Sequence, residues 1–212
     1  FAAGGPLQTD ETSSTGFTPR LLMSYDVSDA VTLNAQASQG FRLGGVNDPL
    51  NTGLCNAEDL AIFGGFQDYD DETLWNYEGG IKIRKNGLTF NAAAFYTDIT
   101  NLQATLDAGS CSSRIVFNVP EAHTAGVEFE FNAPAGDDWE FGLSGSFIEA
   151  EFDSTVVDGT GAIIGGLKTG NRLPSVPEVQ ISASATRLFE NPFSKTGGGY
   201  ITASVQSVGT RF

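Results

Sequence analysis

No apolar run in the 212 residues approaches the roughly 20 that a membrane-crossing helix needs, and no basic–apolar–small leader opens the chain. Positive charge is scarce. Eleven Lys and Arg stand against 26 Asp and Glu, a net charge of −15. Phosphate binding needs clustered cations, and no basic stripe is present, so nucleic acid is excluded as a partner. One histidine and two cysteines cannot supply a spaced zinc motif. There is a single Met, but there are 26 Gly and 16 Phe. That balance favours strands and turns over helices.

The strands are legible as eight segments of period-two alternation, a spacing at which a helix would mix its faces. They run from about Thr18 to Asp26, Val31 to Phe41, Leu74 to Arg84, Leu88 to Asp98, Ile115 to Asn132, Trp139 to Glu151, Glu178 to Leu188 and Tyr200 to Phe212. In the second, Val31, Leu33, Ala35 and Ala37 oppose Thr32, Asn34, Gln36 and Ser38. Asn86-Gly87 is the strongest short hairpin signal in the chain. Pro134 to Asp138 reads as another turn, and Asn191-Pro-Phe193 with Gly197 to Gly199 as a third. Pro120 cannot donate to a ladder and predicts an irregular upper half for the fifth segment.

The links sort by length. Those after the first, third and fifth segments are short, and the one after the seventh is moderate. Those after the second, fourth and sixth are longer, covering about 42–73, 99–114 and 152–177. Short turns at one end and long loops at the other are the pattern of a transmembrane β-barrel. The faces agree. Small soluble barrels fill their interiors with apolar side chains, whereas a wide membrane barrel turns its apolar face to lipid and its polar face to a wet lumen. Trp75, Tyr77, Tyr96, Trp139 and Phe147 lie near strand ends, where interfacial girdles belong. An antiparallel sandwich with one wet face, serving as a soluble binding module, is the alternative fold.

Several stretches, in order, carry a family resemblance. Gly16-Phe-Thr-Pro-Arg20 and Ser24-Tyr-Asp-Val-Ser28 are followed by Gln39-Gly-Phe-Arg-Leu-Gly-Gly-Val-Asn47 and Glu72-Thr-Leu-Trp-Asn-Tyr-Glu-Gly-Gly-Ile-Lys82. Ala94 to Gln103, Thr124 to Glu130, Asn171 to Pro177 and Ser207 to Phe212 continue the series. Together they resemble TonB-dependent outer-membrane receptors across nearly the whole chain. The resemblance implies an all-β, antiparallel transmembrane barrel of 22 strands with short periplasmic turns and long extracellular loops. Residues 1–212 would be about eight strands from the C-terminal half of that barrel, without the plug domain. It implies active uptake of a scarce solute such as a ferric siderophore, cobalamin or an oligosaccharide. Partners would be the plug, the remaining strands, outer-membrane lipid and, through the plug, the TonB–ExbB–ExbD system. A passive porin or a self-contained eight-stranded barrel is the alternative. Neither catalysis nor a cofactor is expected.

Individual motifs are weighed against plainer roles. Phe41, Arg42, Gly44, Gly45 and Asn47 read as a strand-to-loop transition in which the glycines release the backbone from the pleat. Arg42 can reach headgroups or loop carboxylates, and Arg42 and Asn47 are candidate ligand contacts. Cys55 and Cys111 fall in successive external loops, where they can pair as a disulfide or stay as thiols. Asp68, Asp70, Asp71 and Glu72 offer hard oxygen ligands suited to Ca²⁺, but EF-hand spacing and glycine are absent, so a solvated acidic loop is the plainer reading and no metal is assigned. Thr9-Asp-Glu11 is a second acidic loop. His123 and the Ser110, Ser112, Ser113 group lack catalytic partners, and Gly159 to Gly166 is no phosphate cradle. Glu78, Lys82, Glu128 and Glu130, with Arg84, Glu140 and Gln180, form a polar row on the lumenal face. Glu78, Lys82, Glu128 and Glu130 are the lumenal ligand candidates.

Overall fold

A computed structural model describes residues 13–190 and 197–211. The Thr9 to Glu11 stretch, the Asn191 to Phe193 turn and Phe212 lie outside them. The elements in order are β1 (Arg20–Ser28), β2 (Val31–Arg42), β3 (Gly45–Val46), α1 (Ala57–Phe63), β4 (Asp68–Tyr69), β5 (Glu72–Lys85), β6 (Leu88–Asp107), a single 3₁₀ turn (Gly109–Cys111), β7 (Arg114–Ala135), β8 (Trp139–Phe152), β9 (Val179–Glu190) and β10 (Gly198–Val208). Eight of the strands form one antiparallel meander in the order β1-β2-β5-β6-β7-β8-β9-β10, and β3 pairs only with β4. A sandwich needs two facing sheets, so one continuous sheet disposes of that alternative. The sheet is an open arc with β1 and β10 at its edges, which also sets it apart from a self-contained eight-stranded barrel.

The turns follow their sequences. Asn86 and Gly87 both have positive φ, 53° and 81°, the geometry of a two-residue turn whose twist matches its flanking strands. Gly136, with φ 67°, opens the β7–β8 turn.

In the lower sheet neither face is covered. Leu21, Met23, Tyr25, Ile201 and Val205 are largely exposed, and so are Tyr77, Tyr96, Val127, Phe141 and Phe147. This suits a wall with lipid on one side and water on the other. Trp75 and Tyr77 stack near the upper end of β5, and Trp139 and Phe141 stack at the lower end of β8 with Arg187 over the Trp139 ring. Strand from Trp75 to Lys85 is about 33 Å long at ~3.3 Å per residue, and a tilt of about 40° reduces its rise to about 25 Å, the height of an outer-membrane apolar band.

The packed core lies elsewhere. Among the described residues every buried apolar side chain falls between Phe63 and Leu167, on the long-loop side of the sheet. Ile99, Ile115, Phe117, Val119 and Ala122 on the β6–β7 hairpin meet Phe63 of α1, Phe152, and Ile164 and Leu167 of the last long loop. Leu50, Phe66, Leu102, Leu106 and Leu173 pack around them. The long loops therefore form one apolar-centred cap.

Three expectations need correction here. The link predicted at 99–114 is mostly strand: β6 runs to Asp107 and β7 begins at Arg114. Pro120 does not make the upper half of β7 irregular. It interrupts the ladder only opposite Asn101, between the Thr100–Glu121 and Leu102–Val119 pairs, where Asn101 takes a positive φ of 55° and its carbonyl accepts from the Asn118 amide. Residues 42–73 are not featureless loop: they hold α1 and the β3–β4 pair. Asn56 caps α1 by accepting from the Asp59 N–H, with Glu58 and Asp59 in the first turn.

Candidate functional site: the lumenal wall and its outer mouth

Strand register turns the lumenal parity of each segment into continuous rows. Asp26, Thr32, Lys82, Asn91, Glu130, Ser144, Ser182 and Gln206 stand side by side across all eight strands. The next row toward the mouth is Ser24, Asn34, Gly80, Ala93, Glu128, Ser146, Gln180 and Val208. From Lys82 to Gln206 in the first row and from Asn34 to Gln180 in the second they line a trough of about 860 Å³, which Glu78 also enters. Its carboxylates are spread over β5 and β7. Asn91 and Asn132 donate to the Glu130 carboxylate at 3.4 and 3.0 Å, Thr32 donates to Asp26 at 2.7 Å, and the Arg20 guanidinium donates to Gln36 at 2.6 Å. Among the described residues Lys82 has no carboxylate within ion-pair distance. The structure thus brings Glu78, Lys82, Glu128 and Glu130 onto one wet surface that can hold polar solute groups or a polar protein face.

Arg42 and Asn47 sit higher, at the mouth, and their fates differ. Asn47 is half-buried and its amide is engaged: Nδ2 donates to the carbonyls of Val116 and Phe66, and Oδ1 accepts from the Val116 N–H. Arg42 ends β2 opposite Glu72 and is exposed. It reaches no loop carboxylate among the described residues. The Glu72 carboxylate instead accepts from the Gln103 backbone N–H at 2.7 Å.

Gly44 and Gly45 serve close approach. A Cβ at Gly44 would strike the Tyr69 carbonyl, and one at Gly45 the Tyr69 ring, because β4 crosses directly over them. Neither has a positive φ, so clearance rather than backbone freedom is what this pair supplies.

Asp68, Asp70 and Asp71 do not converge. Asp71 accepts from the Ser14 hydroxyl and the Gly44 N–H, and these bonds, the Ser14 one foremost, hold its carboxyl below the ordinary range. Asp70 contributes its backbone: its N–H donates to Asn118 Oδ1 and its carbonyl accepts from Gln103 and Asn118. Asp68 is exposed on β4. Among the described residues no group of three or more His, Cys, Asp or Glu side chains is placed to hold a metal ion.

Cys55 and Cys111 are joined in a disulfide that ties the segment before α1 to the tip of the β6–β7 hairpin. Beside it Asp59 accepts from the Ser110 hydroxyl and N–H, which lower its pKa. His123 Nδ1 lies 2.8 Å from the Asp153 carboxylate, and its ring stacks on Tyr96.

Sequence reading passed over Gln103, the one buried polar side chain among the described residues, 7% exposed. Its amide donates to the carbonyls of Leu43 at 2.8 Å, Asp70 at 3.1 Å and Arg42 at 3.4 Å. No local pattern signals this role, since all three acceptors lie at least 33 residues away.

Comparisons with known proteins agree with this architecture. The family described as TonB dependent receptor-like, β-barrel, matches residues 1–212. The pesticin receptor of Yersinia pestis is 25% identical over 174 residues, which is 82% of this chain and 23% of that protein. The ferric yersiniabactin uptake receptor FyuA from Yersinia pestis superposes with a TM-score of 0.64 at 22% identity, over 91% of this chain and 26% of that one. The ferric enterobactin receptor PfeA of Pseudomonas aeruginosa gives 0.53 at 16% identity, over 89% and 32%. The chain spans about a quarter of the length of the curated relatives it matches. Each of these matched proteins is named as a receptor. With its lipid-facing outer wall, polar inner rows and family match over every residue, the chain belongs to the TonB-dependent receptor β-barrel family and forms part of an outer-membrane barrel.

Proposed function

We propose that this chain is a section of the barrel wall and extracellular cap of a receptor that takes up a ferric siderophore across the bacterial outer membrane. The observation that carries the reading is the family match over residues 1–212, joined to a sheet whose polar rows face inward. Kinship with a pesticin receptor and a ferric yersiniabactin uptake receptor supports an iron complex over cobalamin or an oligosaccharide. In this reading the capped loops meet the solute, and the lumenal rows contact a plug domain or border the solute's route. Energy arrives from the TonB–ExbB–ExbD system through the plug. The barrel does no covalent chemistry.

The test is genetic. The intact parent gene is deleted, and growth on iron-depleted medium is scored with a panel of ferric siderophores, in cells with and without a working TonB. Loss of growth on one siderophore, reproduced by loss of TonB, supports the proposal. Uptake that persists without TonB would favour the passive porin. No iron phenotype, with a defect on cobalamin or an oligosaccharide, would move the substrate class and keep the receptor.

A further inference from the structure

We infer that the cap carries a thiol-exchange site. Cys55 is the sulfur that takes a small external thiol, Cys111 is the sulfur that resolves the adduct, and Ser110 is the positioning residue that keeps the two adjacent. The co-reactant is a small thiol in the medium outside the cell, the side on which the long loops of such a barrel lie. The inference stands apart from the identity of the solute.

The first observation is unequal access. Cys111 is 0% exposed and belongs to the buried cluster at the centre of the cap. Cys55 is only half-buried and packs at the margin of that cluster. Exchange requires the incoming thiolate to reach the sulfur it attacks. In the packed cap a thiol from outside reaches Cys55 and not Cys111.

The second observation is a clasp around the bond. The Asn56 N–H, next to Cys55, donates to Ser110 Oγ at 2.8 Å. The hydroxyl and N–H of Ser110, next to Cys111, donate to the Asp59 carboxylate. Asp59 is itself seated by the helix cap, since its N–H donates to Asn56 Oδ1 at 2.7 Å. Gly109 lets the 3₁₀ turn come this close: its φ is 52°, and a Cβ there would lie 2.7 Å from an Asp59 carboxylate oxygen. None of these hydrogen bonds involves sulfur, so they hold the two segments together when the disulfide is open. The Cys111 sulfur then stays beside Cys55 at a high effective concentration, although the two are 56 residues apart in sequence.

The chemistry is thiol–disulfide exchange. An external thiolate attacks the Cys55 sulfur; a mixed disulfide forms on Cys55, and the Cys55–Cys111 bond breaks with its electron pair leaving on Cys111. The Cys111 thiolate attacks the Cys55 sulfur in turn and expels the external thiolate, which restores the bond with no net oxidation. A second external thiolate that attacks the outer sulfur of the adduct releases the external disulfide and leaves both cysteines reduced. In that branch two electrons pass from the external thiols to the cysteine pair, and their two protons end on Cys55 and Cys111. The clasp favours resealing over that branch.

The test incubates the intact receptor, in outer-membrane vesicles, with reduced glutathione. Samples are quenched with acid, and the glutathione adduct is mapped by peptide mass spectrometry. The adduct is expected on Cys55 in at least about tenfold excess over Cys111. In guanidinium chloride the two cysteines are expected to react alike, which ties the excess to burial. No adduct, equal adducts on the folded receptor, an excess on Cys111, or an excess that persists in denaturant would each overturn the proposal. Ser110→Ala is expected to lengthen the life of the Cys55 adduct by about threefold or more, with the excess of Cys55 over Cys111 retained, because resealing loses the clasp while entry does not. Ser110→Thr keeps the hydroxyl and is expected to restore fast resealing. An adduct lifetime unchanged in Ser110→Ala, or one that Ser110→Thr fails to restore, overturns the role given to Ser110.

Discussion

The side-chain amide of Asn47 completes both backbone hydrogen bonds of Val116, a residue 69 positions away. Val116 lies above Ala122–Phe152, where β8 stops pairing with β7, so its N–H and C=O face an open strand edge. Asn47 stands in for the missing strand with one donor and one acceptor at 2.6 and 2.7 Å. Asn47→Ala leaves both groups half-buried and unpaired, at a cost of about 1–3 kcal/mol each. The expected result is faster hydrogen exchange at Val116 and its neighbours, with exchange in β5 and the lower half of β6 unchanged. Asn47→Asp restores only the acceptor and should fall between.

The disulfide acts on the same cap. Its cysteines are 56 residues apart in sequence, and the chain-entropy estimate for a loop of that size is about 4 kcal/mol. This is an upper bound, because the β5–β6 ladder already brings the two ends together. Replacing both cysteines with serine should make residues 48–66 sensitive to protease in intact outer membranes. The barrel's resistance to unfolding in detergent should stay the same, since no cysteine touches the lower sheet. Equal loss of cap and barrel stability would show that the two do not unfold separately.

Acid should loosen the cap by a route whose sign can be worked out. Hydrogen bonds from Ser110 and from Ser14 and Gly44 depress the folded-state pKa values of Asp59 and Asp71 below the ordinary 3.8. A depressed carboxyl contributes stability that is fully present above its unfolded value and is lost as pH falls through the folded one. Cap protection should therefore be flat from neutrality down to about pH 5 and decline below about pH 4. Ser110→Ala should reduce the Asp59 share of that decline, since the hydroxyl is lost and the backbone N–H at 110 still donates. Protease sensitivity of residues 48–66 as a function of pH measures both.

The split between wall and cap explains what was legible in the sequence. A strand with lipid on one side and water on the other advertises its parity at every second residue, so the eight segments, their order and the inverted faces could be read from residues such as Leu33 against Asn34. The upper half of β6 was passed over, although β7 was read from Ile115. Leu102, Ala104 and Leu106 still alternate with Gln103, Thr105 and Asp107, but the loops cover this stretch and the polar Gln103 is the buried residue, so polarity no longer reports which face meets solvent. The helix start at Asn56, with Glu58 and Asp59 in its first turn, was passed over within a link taken as loop. Glycine at 44 and 45 was visible, but its reason, the passage of Tyr69, depends on a contact 25 residues away. Of the candidate site residues, Glu78, Lys82, Glu128 and Glu130 came from parity. Gln103 and Glu72 act through long-range bonds that one sequence does not display.

Two adjacent alanines test the wall directly. Ala93 and Ala94 lie at mid-strand on β6, opposite Gly80 and Gly79 on β5 and Glu128 and Val127 on β7. They share a backbone environment and differ in parity: Ala93 shares its row with Glu128 and Gln180, and Ala94 shares its row with exposed Val127 and Phe147. A lysine in place of Ala94 would enter hydrocarbon near the bilayer midplane, at a cost of about 2–4 kcal/mol. The same change at Ala93 would meet water and the Glu128 carboxylate, and a surface ion pair of that kind is worth at most about 1 kcal/mol. In the intact receptor, Ala94→Lys should lower the denaturant midpoint of the barrel in lipid vesicles, and Ala93→Lys should leave it nearly unchanged. Equal effects would mean that both faces meet the same medium, and the assignment of lipid and lumen to opposite parities would fail with them.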